Sequence, residues 1–249
     1  MRTSQNAVIV VTGASRGIGL AIAEEFGRGG AKVVVNYNYS KEQAEELVRL
    51  LLKEGSPAAI AVQADVSDPH QAARLIEETI QQFGRIDVLV NNAGINIDRS
   101  LRKMSVHDWD TVIRADLSSY FYTFKAALPY FIEQKSGTII NISTLTALTG
   151  NFGQANYTAA KAGILGSTKT AALELARSNV TVNAICPGPV ETDMWFAAPE
   201  EARKAILARV PLGRPVTPQE IAEGARYLYE NGETITGNTL HINGGMYMS

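Results

Sequence analysis

The feature that most constrains this chain is an alternation. Short runs rich in Val, Ile and Ala, at 7–11, 32–35, 58–62, 86–90, 138–142, 180–185 and 239–242, are separated by longer stretches with helical periodicity. Those stretches are 17–29, 41–54, 68–83, 106–133, 156–177 and 218–230. Near-continuous apolar strands, each followed by a helix, need cover on both faces and so predict a parallel sheet. Right-handed crossovers then give an α/β fold, a doubly wound sheet with helices on both sides. No Pro/Gly/Ser-rich linker divides the sequence, so residues 1–249 are expected to form a single domain.

Composition removes several functions. With 23 basic and 25 acidic side chains the formal net charge is −2, which gives no electrostatic footprint for nucleic acid. The first apolar run, Ala7 to Val11, is too short for a signal peptide or a membrane span. The expectation is a cytoplasmic protein with neither nucleic-acid nor membrane partners. Cys186 alone cannot make an intramolecular disulfide, and His70, His107 and His241 are far apart, so no metal site is expected. Cys186 reads as a small buried residue.

Chemistry concentrates at strand ends. The first strand closes in Thr12-Gly13-Ala14-Ser15-Arg16-Gly17-Ile18-Gly19, and a helix follows. Glycines let the backbone turn tightly and approach a pyrophosphate, while a helix N-terminus offers free N–H groups. The spacing is GxxxGxG, and close helix–strand packing would also account for it. The fourth strand runs into Asn91-Asn92-Ala93-Gly94, at the sheet edge where ligands bind in such folds. A plain Asn-Gly turn is the alternative. Ser143 ends the fifth strand, and Tyr157-x-x-x-Lys161 opens a long helix. Four-residue spacing puts the phenol and the ammonium on one helix face, where the cation favours phenolate. Nine tyrosines and nine lysines in 249 residues give about 0.3 chance matches, and Tyr37…Lys41 is a second match that reads as a decoy. The pair gains weight only from its companions.

Those companions occur in order, together with Pro187-Gly188, and the whole chain resembles the short-chain dehydrogenase/reductase family. Within it, the chain is most similar to the bacterial 3-oxoacyl-[acyl-carrier-protein] reductases and acetoacetyl-CoA reductases. The stretches that carry this are 150–157, 206–211 and 241–248. The resemblance implies a Rossmann-like fold and reduction of a 3-oxoacyl thioester with NADP(H), as in fatty acid biosynthesis. It assigns Ser143, Tyr157, Lys161 and Asp116 to catalysis. Tyr157 would protonate the emerging alkoxide, Lys161 would tune it and hold the nicotinamide ribose, and Ser143 would bind the substrate carbonyl. Gln154 would join Ser143 and Tyr157 in binding substrate. The cofactor would meet Gly13, Ser15, Arg16, Gly17, Ile18, Gly19, Asn36, Asp65, Val66, Asn92, Ala93, Gly94, Tyr157, Lys161, Pro187, Gly188, Val190 and Thr192.

Cofactor choice is read from the second strand, whose end, Asn36-Tyr37-Asn38-Tyr39, carries no acid to bind the ribose hydroxyls of NAD. Arg16 could pair with a 2′-phosphate, so NADPH is expected. Aspartate in place of Asn36 would then favour NADH. The pattern breaks at Asp116, which stands where the family has an Asn and adds a charge that is costly to bury unpaired. The substrate readings left open are a thioester, or another alcohol, sugar or steroid; a scaffold disabled by Asp116 is the non-enzymatic alternative. Apolar stripes at 117, 121, 124, 128 and 131 and at 164, 165, 168, 172 and 175 are either sheet packing or a subunit interface, and a homotetramer is expected. An acidic carrier protein would meet cations at the ends of those helices, Lys135 and Arg177, because the positions used by relatives read Gln134 and Ser178.

Overall fold

The computed structural model describes residues 2–248. In chain order its elements are β1 (Val8–Val11), α1 (Gly17–Arg28), β2 (Lys32–Tyr37), α2 (Lys41–Lys53), β3 (Ala59–Gln63), α3 (Pro69–Phe83) and β4 (Val88–Asn91). Then come α4 (Val106–Val112), a π-helical turn at Ile113–Ser118, α5 (Ser119–Gln134), β5 (Gly137–Ile142), α6 (Thr146–Thr149) and α7 (Ala155–Leu175). A 3₁₀ turn at Ala176–Ser178 leads to β6 (Val180–Pro187), α8 (Asp193–Ala197), α9 (Glu200–Leu207), α10 (Pro218–Glu230) and β7 (Thr239–Ile242).

The seven strands form one sheet in the order β3-β2-β1-β4-β5-β6-β7, with every neighbouring pair parallel. This is the doubly wound α/β arrangement expected from the alternation. Period-two geometry divides each strand between two cores. Ile9, Val11, Val33 and Val35 pack toward α1, α2 and α10, whereas Val10, Val34, Leu89 and Ile139 pack toward α3, α5 and α7. Helix starts follow their caps: Asp68 accepts from the His70 and Gln71 amides, and Ser105–Asp108 and Thr217–Glu220 close reciprocal capping boxes.

The winding reverses between β1 and β4, and that switch point opens a crevice at the carboxyl ends of the strands. One expectation about packing changes here. The α7 positions Ile164, Leu165, Thr168, Ala172 and Leu175 are all buried within the single chain, so that stripe is core packing on the sheet. The α5 stripe splits, with Phe131 fully enclosed and Phe121 54% exposed. Outside the core, Phe121 and Ile132 on α5 and Leu173 on α7 remain exposed apolar groups.

Candidate active site

The glycine turn is held by the Thr12 hydroxyl. Thr12 is buried at the end of β1, and its Oγ1 accepts from the Asn92 amide at 2.9 Å and the Ala93 amide at 3.0 Å. Asn92 returns the contact, its Nδ2 donating to the carbonyls of Thr12 at 2.9 Å and Gly13 at 3.1 Å. The turn after β1 and the loop after β4 are thereby stitched together across the switch point. Gly13 has φ +61°, and a Cβ there would sit 3.0 Å from Ala93 Cα; a Cβ on Gly19 would come within 2.6 Å of Asn92 Nδ2. Only glycine fits either place.

Past the turn, α1 begins at Gly17 with no side-chain cap from Arg16, which leaves its first-turn amides, including Ile18 and Gly19, for an anion. Ser15 is half-buried beside them, and the Arg16 side chain is exposed with no ion pair among the described residues. A glycine cradle and an uncapped helix start fit the diphosphate of a dinucleotide cofactor, and the guanidinium beside them is free to meet a further phosphate.

Asn36 behaves differently from its expected role. It is 1% exposed; Oδ1 accepts from the Gly13 amide at 3.1 Å, and Nδ2 donates to the carbonyls of Ala64 at 3.0 Å, Val62 at 3.3 Å and Tyr37 at 3.4 Å. Every polar atom of its side chain is engaged inside the fold, so it supports the glycine turn. Asp65 is half-buried and caps a local turn, its Oδ1 accepting from the Ser67 amide at 2.9 Å, with Val66 buried beside it. On the far rim the Pro187 carbonyl accepts from Leu145, and the Gly188 amide donates to Ile242. Val190 pairs with Val216, and Thr192 lies over Gly17, where a Cβ would be in van der Waals contact with Thr192 Cγ2 at 3.5 Å. The segment after β6 thus folds back over the glycine turn.

The remaining candidates converge from β5, α7 and the π turn. Ser143 follows β5, and its Oγ donates to the Lys161 carbonyl at 2.9 Å. Lys161 is 4% exposed; Nζ donates to the Ile142 carbonyl at 3.1 Å and lies 5.7 Å from the Tyr157 ring centroid. Gln154 is buried at the head of α7 and accepts from Asn151 at 3.0 Å through Oε1, which makes it part of the helix entry. Gly94 lies against Asp116: a Cβ on it would be 2.7 Å from Asp116 Oδ2. Asp116 itself is buried on the π turn, a placement typical of functional positions. It is not unpaired. Oδ1 accepts from the Ile95 amide at 2.8 Å, and Oδ2 lies 3.5 Å from Lys161 Nζ.

Burial pushes the Tyr157 phenol above the ordinary tyrosine range; the Lys161 cation pulls it back, and the Asp116 charge pushes it up again. Burial also pushes the Cys186 thiol up, consistent with a packing residue. The decoy pair separates plainly: Tyr37 belongs to the core under α1, while Lys41 is exposed and pairs with Glu45 at 3.7 Å. Behind the site a polar ladder runs through Thr123, Asn91, Asn141 and Thr168 at 2.7, 3.0 and 2.9 Å. No sequence signal marked it, because its members lie on four separate elements.

The sequence model of the family described as enoyl-(acyl carrier protein) reductase matches residues 13–247. Among curated proteins, the chain is 45% identical to the 3-oxoacyl-[acyl-carrier-protein] reductase FabG of Staphylococcus aureus, over 96% of this chain and 97% of that one. It is 46% identical to the 3-oxoacyl-[acyl-carrier-protein] reductase of a Synechocystis species, over 97% of each chain. With FabG of Thermotoga maritima the identity is 42%, over 96% of this chain and 97% of the relative.

Proposed function

The chain belongs to the short-chain dehydrogenase/reductase family, a group of nicotinamide-dependent oxidoreductases acting on ketone and hydroxyl groups, and from that premise we propose that it reduces 3-oxoacyl thioesters with NADPH. The supporting observation is that relatives from three distant bacteria, all named as 3-oxoacyl-[acyl-carrier-protein] reductases, match nearly end to end. The natural substrate is then carried by acyl-carrier protein, and acetoacetyl-CoA is a competent second substrate.

When bound, the reduced cofactor supplies a hydride to the carbonyl carbon. The chain's own residues do the rest. Charge that develops on the carbonyl oxygen needs a proton donor already aimed at it, and the half-buried Tyr157 phenol fills that role. The Ser143 hydroxyl turns from the Lys161 carbonyl to the substrate oxygen. Thr12 and Asn92 fix the cradle against which the cofactor is oriented. Arg16 pairs with the 2′-phosphate, which is the basis for NADPH over NADH. Asp116 gives no reason to read the chain as a disabled scaffold, because its carboxylate is partnered.

Carrier recognition falls to the ends of α5 and α7. Gln134 is occupied, exchanging hydrogen bonds with the Ile86 main chain at 3.2 and 2.7 Å. Lys135 and Arg177 are exposed, and Asn179 beyond α7 donates to the Lys135 carbonyl at 3.3 Å, so the two helix ends lie side by side. An acidic carrier docks there. The protein works as a homotetramer, with Phe121 and Leu173 in its interfaces. The deciding experiment compares kcat/KM for carrier-bound and CoA-bound acetoacetyl substrates in wild type and in a Lys135→Glu/Arg177→Glu variant. Only the carrier rate should fall, and more at low salt. Equal losses on both would remove the docking site. No reduction of either thioester would hand the chain to the alcohol, sugar or steroid reading.

A further inference from the structure

Asp116 is a carboxylate buried next to the cation that tunes the proposed proton donor, in a place where the resemblance puts a catalytic asparagine and explains no negative charge. Its Oδ2 lies 3.5 Å from Lys161 Nζ and has no hydrogen-bond partner of its own, and Asp116 lines a small cavity of about 10 Å³ together with Thr12, Asn91, Tyr120 and Lys161. Lys161 Nζ in turn sits 5.7 Å from the Tyr157 ring centroid. One ammonium therefore stands between a carboxylate and an aromatic ring, with the ammonium and the carboxylate both buried and Tyr157 half-buried.

We propose that Asp116 is a positioning residue whose carboxylate offsets the charge of Lys161 and keeps Tyr157 in its protonated form, so that carbonyl reduction persists to higher pH. This rests on the reading of Tyr157 as the proton donor. In reduction, hydride adds to the carbonyl carbon, the π pair moves to oxygen, and that oxygen takes the Tyr157 proton; solvent then restores the phenol. Oxidation of the alcohol runs the other way and must start from phenolate. A carboxylate that disfavours phenolate moves the alkaline limit of the first direction and the onset of the second upward in pH together, leaving the equilibrium between them unchanged.

The surrounding groups leave this balance to few charges. Burial raises Tyr157; Lys161 pulls it down, while Asp116 and then Asp98, from the loop after β4, push it up. Burial raises Asp116 too, and Lys161 and the Ile95 amide draw it back toward the ionised form. Tyr120 from α5 is pushed up to about 12 by burial, and the Cys186 thiol from β6 is raised by burial, so both stay neutral. The side chains that close the remaining walls, Thr12, Asn91, Ser119, Thr123 and Ile164, carry no charge.

Asp116→Asn tests the idea while keeping an acceptor for the Ile95 amide. The first readout needs no substrate or cofactor: the ultraviolet tyrosinate signal of Tyr157, taken as each protein minus its Tyr157→Phe counterpart. It should appear at lower pH in Asp116→Asn than in wild type. Oxidation of a 3-hydroxyacyl thioester near pH 7 should rise about three- to tenfold, and the alkaline limb of reduction should move down in pH. An unmoved tyrosinate titration overturns the proposal whatever the substrate proves to be, whereas a moved one without thioester turnover faults only the substrate reading. If the variant does not fold, the Ile95 amide proton of the wild type carries the test. A titration below about pH 7 reports the ionised acceptor that the proposal requires, and a neutral carboxyl persisting above it refutes the proposal.

Discussion

Replacing Asn36 with aspartate separates two views of cofactor choice. If the residue faced the ribose, a carboxylate there would favour NADH. In the folded chain the same carboxylate meets a different environment. One oxygen keeps the Gly13 amide, and the other takes the place of Nδ2, facing the Ala64, Val62 and Tyr37 carbonyls at 3.0, 3.3 and 3.4 Å. Losing the donor forfeits one good hydrogen bond and two long ones, about 1–2 kcal/mol. A charge at 1% exposure, with no cation bonded to this side chain among the described residues, adds enough to bring the cost to about 3–5 kcal/mol at pH 8. For a chain of this length that lowers Tm by roughly 10 °C. The pH dependence has a definite sign. The buried carboxyl is held above its unfolded value of about 3.9, so the folded state binds more protons, and the loss grows as pH rises past ~4 and shrinks on acidification. Thermal melts of wild type and Asn36→Asp at pH 5 and pH 8, with NADPH and NADH titrated by nucleotide fluorescence, read both effects. A variant as stable as wild type at pH 8, and tighter for NADH, would refute the reasoning.

Other outcomes follow from the same geometry. Tyr157→Phe should lower kcat by at least a hundredfold, about 2.7 kcal/mol, with nucleotide affinity within about twofold, measured by stopped-flow reduction and fluorescence titration. Gly94→Ala drives a methyl to 2.7 Å from Asp116 Oδ2, so it should destabilise the fold by about 1–3 kcal/mol in urea titration, and pairing it with Asp116→Ser should recover part of that. Phe121→Glu with Leu173→Glu should convert the proposed tetramer to smaller species in sedimentation velocity while leaving the circular dichroism spectrum unchanged, since both side chains are exposed in the single chain.

What the sequence made legible is what short-range pattern can carry. Strand runs, the glycine turn and the Tyr157/Lys161 spacing follow from adjacent residues, and all seven strands lie where the apolar runs place them, to within two residues at every end. Asn36 shows where pattern stops. A strand's last residues alternate between faces, and no local rule says which parity looks at a ligand and which at the strand's neighbours. The pairing of Asp116 with Lys161 spans 45 positions and depends on the route of the intervening chain. Helices α6, α8 and α9 span four, five and eight residues, too short to show a period. The stripe on α7 was ambiguous for the opposite reason: an apolar helix face looks the same whether it meets its own sheet or a second copy.

The π-helical turn at Ile113–Ser118 makes chain length itself a variable of the site. Such a turn is in effect an α-helix holding one residue more than its pitch requires. A deletion of one residue inside it can close into plain α-helix, so α4 and α5 keep their phase and their packing. The local bulge is what disappears, and with it the displacement from which Asp116 reaches both the Ile95 amide and Lys161. Insertion and deletion therefore act here as a switch on one carboxylate, separable from the architecture that carries it.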